Sequence, residues 1–351
     1  MLGVECGSPV WVMWRGDGLP RLVAGFKQCL THNKHNKGKP HLMRYLTCVT
    51  LALASLLSLG SAQAGTYTQT KYPIVLVHGI AGFDSVGGLV DYFFTVPWNL
   101  QRDGARVHIA SVAAFNNSYQ RGIELAKQIA PWAQAGGGKV NIIGHSQGSP
   151  TARIAMALRP ELVASITSVD GVNHGSKVAD VVLGIAPPGS LPQGGMNALV
   201  NAVGKIINGV SGANHPQSFT QSLVSLSSPE SAAINATHPW GVGNNASCTS
   251  GAEVANVYGH NVQFFSWTGR SRFTNPFDPL DYFFAAAGSV FGNESSDAMV
   301  GTCSTLLGKV IGTQYAMNHG DAVNHLLGLR GWTNPVSLYR QQANRLKNRG
   351  L

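Results

Sequence analysis

Short apolar runs alternate with helix-spaced patterns along most of the chain. YPIVLVHG (72–79), RVHIASV (106–112), KVNIIG (139–144), VASITSVDG (163–171) and VQFFSWTG (262–269) are rich in β-branched and aromatic residues and predict buried strands. Between them, NSYQRGIELAKQIAPW (117–132) and SPTARIAMALRP (149–160) predict helices. Asn334-Pro335 opens a last helix with Val336, Tyr339, Ala343 and Leu346 on its inner face. Strands that are apolar throughout and alternate with helices predict an α/β fold, a parallel sheet covered on both faces. No repeat or linker interrupts 65–351, which is predicted to be one domain.

One segment is patterned differently. In MNALVNAVGKIINGV (196–210), Met196, Leu199, Val200, Val203, Ile206, Ile207 and Val210 fall on one helical face, with Asn197, Asn201, Lys205 and Asn208 opposite. Its flanks, PPGSLPQGG (187–195) and SGANHPQS (211–218), are rich in glycine and proline, as a hinged segment requires.

Composition changes the picture mainly at the N-terminus. The 351 residues are 44% hydrophobic and 12% charged, enough for a large core, and the formal charge is +9. Residues 1–64 carry seven Lys/Arg against two Asp/Glu, so they account for more than half of that charge. No basic run with interleaved aromatics follows, which argues against nucleic acid as a partner. NKHNKGKPHLMR (33–44), YLTCVTLALASLLSLG (45–60) and SAQA (61–64) read as the three parts of a secretory signal. Its apolar core is too short for a comfortable membrane span. The expected organisation is therefore an N-terminal extension, 1–42, outside the working protein, with translation starting at Met43. A cleaved signal peptide, 43–64, follows, and then a secreted domain, 65–351, with no integral membrane segment. Cleavage leaves two of the five cysteines, Cys248 and Cys303, an even pair for an oxidising compartment.

The candidate chemistry begins at Gly144-His145-Ser146-Gln147-Gly148, where the third predicted strand breaks into a helix. A bare G-x-S-x-G is weak evidence; a strand before it and a helix after it make Ser146 a candidate nucleophile on a tight, strained turn. Pro150 falls in the helix's first turn, where its missing N–H costs little. A serine hydroxyl needs a base, and the oxyanion it generates needs donors already in place. The backbone N–H of Gln147 is one candidate donor. The N–H of Ile80, after the strand-end pair His78-Gly79, is the other.

In such a scaffold acid and base follow the nucleophile in chain order. Six histidines come after Ser146, at 174, 215, 238, 260, 319 and 325. The first three precede most of the carboxylates, His260 leads into a strand, and His325 sits in the apolar run AVNHLLGL. His319, in YAMNHGDAVN, remains. By position alone Asp278, Asp281, Glu294 and Asp297 are all open as the acid. A Cys248–Cys303 bridge would stiffen the loop that carries Asp297.

YTQTKYPIVLVHGIAGFD, VNIIGHSQGSPT, SSDAMVGTCS and YAMNHGDAVNHLLGL, in that order, resemble the secreted true lipases of Gram-negative bacteria, the Pseudomonas-type triacylglycerol lipases. The resemblance runs from Tyr67 to VSLYRQQANRLKN at the C-terminus. It implies an α/β-hydrolase with a mostly parallel sheet, helices on both faces and a helical lid over 187–218. It further implies Ser146 as nucleophile, Asp297 as acid, His319 as base, oxyanion donors at Ile80 and Gln147, and a bridge Cys248–Cys303. A structural Ca²⁺ is implied as well, held by the carboxylates of Asp278 and Asp321 and the backbone carbonyls of His325 and Leu329; hard oxygen ligands suit calcium. Ile80, Gln147 and Ser149 stand where relatives often carry other side chains. The implied substrate is a lipid ester at an oil–water interface, and the implied route is export through the periplasm with a lipase-specific foldase. A carboxylesterase of short soluble esters and a non-catalytic binding protein of the same fold are the rival expectations.

Overall fold

The computed structural model describes residues 11–14, 20–23, 65–80, 85–86, 90–185 and 218–351. The signal segment and the 187–218 lid segment, up to residue 217, lie outside the described residues. The chain divides into two compact units, Met1–Ala62 and Gln63–Leu351. In the first, Trp11–Trp14 and Pro20–Val23 pair as antiparallel strands. No helix among the described residues is long and apolar enough to cross a membrane.

The second unit is built on seven strands: β1 (Ile74–Val77), β2 (Val107–Ile109), β3 (Val140–His145), β4 (Val163–Val169), β5 (Val254–Val257), β6 (His260–Gly269) and β7 (Lys309–Tyr315). Their order across the sheet is β7-β6-β4-β3-β1-β2, every pair parallel, with β5 antiparallel against the start of β6. The central strands β1, β3 and β4 are buried along their whole length, so both faces must be covered.

Alternate side chains feed two cores. Val75 and Val77 face α2 (Ser118–Ala135) and α3 (Gly148–Leu158), packing with Leu125, Ile129, Ala152 and Met156. Ile74 and Leu76 face the other way, toward Val96 and Leu100 of α1 (Val96–Arg102) and Tyr339 and Ala343 of α8 (Pro335–Asn348). That is the period-two pattern of a pleated strand. The inner face predicted for the last helix is buried, Tyr339, Ala343 and Leu346 completely.

Between β4 and α8 lie α4 (Lys177–Val182), α5 (Phe219–Leu226), α6 (Ser228–Thr237) and α7 (Pro279–Gly288). The chain starts at β1, steps outward to β2, then crosses back to β3 and moves the other way. The switch point therefore falls between the C-terminal ends of β1 and β3, where open α/β sheets place their crevice. A disulfide joins Cys248 to Cys303 and closes a loop of 55 residues; on the chain-entropy model such a loop contributes about 4 kcal/mol.

Candidate active site

The turn after β3 is as tight as its sequence demands. Ser146 has φ +56°, a left-handed conformation strained for a residue with a side chain. A Cβ on Gly144 would lie 2.3 Å from the Gly148 carbonyl oxygen, and one on Gly148 would lie 2.2 Å from that of Val77. Only glycine lets the three segments approach so closely. The Ser146 N–H donates to the Val169 carbonyl at the end of β4 (3.0 Å), which fixes the turn to the neighbouring strand. Gln147 caps α3, so its backbone N–H is among those a helix N-terminus leaves without an internal acceptor. Its side-chain amide is committed elsewhere, donating to the Asn116 carbonyl (2.8 Å) and Ser225 Oγ (3.1 Å).

The strap after β1 lies directly against this turn: a Cβ on Gly79 would be 2.7 Å from Ser146 Cβ. Arg121, fully buried on α2, holds the strap from below. Its Nη1 donates to the carbonyls of Gly79 (3.1 Å) and Ala113 (2.9 Å), and its Nη2 to that of His78. Burial lowers this guanidinium to about 10, so it stays charged at neutral pH. His78 is buried within the strap, with Nδ1 2.9 Å from the Gly79 carbonyl.

His319 sits on the loop after β7, and its ring Nδ1 is 2.7 Å from Asp297 Oδ2. Asp297 is completely buried, and its Oδ1 accepts the N–H groups of Met299 (2.8 Å) and Val300 (2.7 Å). The His319 N–H also donates to the Asp297 carbonyl (2.9 Å), so backbone and side chain lock the two loops together. Ser146 and the His319 ring line the same cavity, about 370 Å³, whose walls include Ile80, Phe115, Val178, Phe219, Leu223 and Phe283.

Two of the other candidate acids are engaged elsewhere. Asp281 accepts the N–H of Asn275 (2.6 Å), that of Thr274 and the Asn318 amide. Glu294 pairs with Lys177. His260 opens β6, as its position before a strand predicted, and His325 begins a short helix, His325–Gly328. Asp278 caps α7 by accepting the Leu280 N–H (2.8 Å). Asp321 Oδ2 accepts from Thr274 Oγ1 (2.8 Å) and the Asn318 N–H (3.2 Å), while Oδ1 is buried with no hydrogen-bond partner. Burial raises the Asp321 carboxyl to about 6 and moves Asp278 in the same direction. An unfilled carboxylate oxygen at a site that resists bare negative charge is what a hard cation would satisfy. His325 and Leu329 follow Asp321 on a loop that is left-handed at Asn324 and Leu327.

Sequence reasoning missed a chain of bonds linking the strap to the loop that carries His319. Tyr92 Oη accepts the Gly79 N–H (3.1 Å) and lies 2.7 Å from His145 Nδ1; His145 Nε2 lies 3.0 Å from the His319 carbonyl. A carbonyl only accepts, so Nε2 carries the proton and Nδ1 accepts the phenolic O–H. Burial holds His145 well below the usual imidazole range, with His319 adding to the effect, and keeps it neutral. Asp170, at the end of β4 with φ +46°, was also missed. One ligating atom each of His145, Asp170 and His319 lie within 4.8 Å of one another. The bonds just described already engage both His145 nitrogens and His319 Nδ1.

This geometry agrees with what related proteins are. Residues 72–319 match the α/β hydrolase fold family. A triacylglycerol lipase of Vibrio cholerae is 47% identical over 289 residues, covering 81% of this chain and 90% of its own. A triacylglycerol lipase of Pseudomonas fragi is 39% identical over 293 residues, covering 80% of this chain and 98% of its own. Among solved structures, a mature lipase of Bacillus licheniformis superposes with a TM-score of 0.54 at 15% identity, covering 79% of this chain and 93% of its own, a likeness of fold. The chain belongs to the α/β-hydrolase family and, within it, to the bacterial triacylglycerol lipases; it is a serine ester hydrolase.

Proposed function

We propose that the chain is an exported, calcium-stabilised lipase that hydrolyses the ester bonds of acylglycerols. The observation that carries this reading is a strained Ser146 facing a largely apolar cavity shared with a histidine whose far nitrogen is held by a buried carboxylate. Ser146 Oγ attacks the ester carbonyl while His319 Nε2 takes its proton. Asp297 orients the imidazole and balances the charge it gains. The N–H groups of Ile80 and Gln147 receive the oxyanion. His319 then protonates the departing alcohol, and water, deprotonated by the same ring, releases the acid from the acyl-enzyme. The apolar walls take the acyl chain.

Asp278 and Asp321, with the carbonyls of His325 and Leu329, would hold Ca²⁺. When bound, the ion supplies positive charge to a buried carboxylate two residues after His319 and so steadies the loop that presents the base. The signal-like segment 43–64 supports export through the periplasm, where the Cys248–Cys303 bridge can form and a dedicated foldase can act. The 187–218 segment serves as a lid, and emulsified substrate removes the cost of exposing its apolar face.

Labelling with a fluorophosphonate followed by peptide mapping tests the nucleophile: the modified peptide contains Ser146, and Ser146→Ala folds but neither labels nor hydrolyses. Retained hydrolysis in Ser146→Ala overturns the assignment. Faster turnover of an olive-oil emulsion than of dissolved tributyrin is expected; the reverse points to a carboxylesterase of short soluble esters.

A further inference from the structure

The catalytic carboxylate is not the only buried carboxyl in the site. Asp170 is completely buried at the end of β4, with one carboxyl oxygen within 4.8 Å of a ring nitrogen of the same His319 that Asp297 holds. Two carboxyls around one imidazole and out of water resist being charged together, which favours keeping one proton on the pair.

The donors around each group decide which one carries it. Asp297 accepts three N–H groups, from Met299 and Val300 at Oδ1 and from the His319 ring at Oδ2. Asp170 accepts the Gly269 N–H at Oδ1 (2.9 Å) and has beside it the Thr268 hydroxyl, which donates to the Gly269 carbonyl (3.1 Å), while its Oδ2 is buried and receives no donor in hydrogen-bonding geometry. A carboxylate with three donors is stabilised as the anion. An oxygen with none is the natural seat of a proton, which turns an unsatisfied acceptor into a donor. We propose that Asp170 is held as the neutral acid in the working enzyme and donates its O–H to the Asp297 carboxylate, a positioning residue for the Asp297–His319 pair.

Burial, then the neighbouring Asp297, raises the Asp170 carboxyl well above the usual range; the Thr268 hydroxyl and the Gly269 N–H oppose this but are outweighed. The titratable groups facing Asp170 are Asp297, His319 and His145 together with the phenols of Tyr92 and Tyr339. Both phenols are pushed up by burial and stay neutral, and His145 is neutral as well. The cluster therefore carries one negative charge, on Asp297, when His319 is neutral. A fourth donor fixes the rotation of Asp297, and a neutral Asp170 places no second anion beside the His319 ring.

The proposal rests on Asp297 being the acid of the site, and a proton readout separates it from that assignment. At pH 8 the infrared spectrum of wild-type enzyme in D₂O is expected to retain the carbonyl stretch of an un-ionised carboxylic acid, absent in Asp170→Asn. On a soluble ester, Asp170→Ala is expected to lower kcat about tenfold with KM within about twofold, the size of a hydrogen bond lost to a charged acceptor. Asp170→Asn, whose amide can donate in place of the hydroxyl, is expected to restore most of that loss and to leave the acid limb of the pH profile in place. An Asn variant as slow as the Ala variant would overturn the proposal. So would an acid limb displaced downward by about half a pH unit or more in Asp170→Asn, because that reports loss of a negative charge beside His319. If neither variant folds, the wild-type spectrum decides: active enzyme with no carboxylic-acid band at pH 8 refutes a neutral Asp170 and leaves the triad standing.

Discussion

Replacing Asp321 by asparagine should stabilise the cation-free protein and at the same time abolish its response to calcium. Burial raises this carboxyl from 3.8 to about 6. Between those values the folded chain binds more protons than the unfolded chain, so stability falls as pH rises through the window and stays low above it. The full difference is about 3 kcal/mol at 1.36 kcal/mol per pH unit. Because Asp321 is nearly inaccessible to water, solvent screening takes little from that figure. Asparagine keeps an acceptor for Thr274 Oγ1 and the Asn318 N–H but carries no charge. In chelator at pH 8, Asp321→Asn should therefore gain up to about 3 kcal/mol over wild type, roughly 5 °C in Tm for a domain of this length. At pH 3, below both values, the two should coincide. Added calcium should raise the wild-type Tm more at pH 8 than at pH 5, where a proton competes for the same oxygen, and should leave the variant unmoved. Thermal unfolding at the two pH values, with chelator or with millimolar calcium, provides the measurement. A variant less stable than chelated wild type at pH 8, or one still stabilised by calcium, would refute both the origin of the shift and the assignment of Asp321 as a ligand.

Three further outcomes follow from the geometry. Gly79→Ala places a Cβ 2.7 Å from that of Ser146 and 2.9 Å from Tyr92 Oη, so kcat on a soluble ester should fall about a hundredfold, the scale of a lost oxyanion donor, with KM changed far less. Arg121→Met leaves the carbonyls of His78, Gly79 and Ala113 without their buried donor. It should cost about 3 kcal/mol or more in urea denaturation and slow turnover by displacing the strap; wild-type kcat in a folded variant would show that the strap holds its shape unaided. Cys303→Ser paired with Cys248→Ser should lower stability by about 4 kcal/mol, read from the denaturant midpoint. An unchanged midpoint would mean that the unfolded chain is already constrained there.

The sequence was most readable where burial is two-sided. β1, β3 and β4 are continuous apolar runs because each has a core on both faces, and the elbow at Ser146 is readable because its glycines answer a local steric demand. The edges were not. β7 is exposed or half-buried along its length and mixes Lys309, Thr313 and Gln314 with Val310 and Ile311, so no run marks it; β5 is a short, mostly exposed strand. The helix α7 hid behind NPFDPLD, which reads as a loop of carboxylates, although Asp278 is in fact its N-cap. In the site, chain order singles out Ser146 and His319 as candidates, whereas the contact that sets Asp297 and none of the other three carboxylates against the His319 ring is not encoded in spacing. Arg121 reads as an ordinary solvated helix residue, and Asp170 as a charge at the end of a strand. Their partners include residues 42 to 127 positions away, a relation carried by the fold rather than by local pattern.

The cavity is assembled from two sources with different duties. Its reacting groups stand on turns and loops at the C-terminal ends of strands, whereas much of its apolar wall belongs to α4, α5 and α7: Val178, Phe219, Leu223, Phe283. Selectivity and chemistry are thereby placed on separable pieces of chain. Substitutions among those helical wall positions can reshape the cavity without disturbing the bonds around Ser146 and His319, which makes this scaffold evolvable toward new esters.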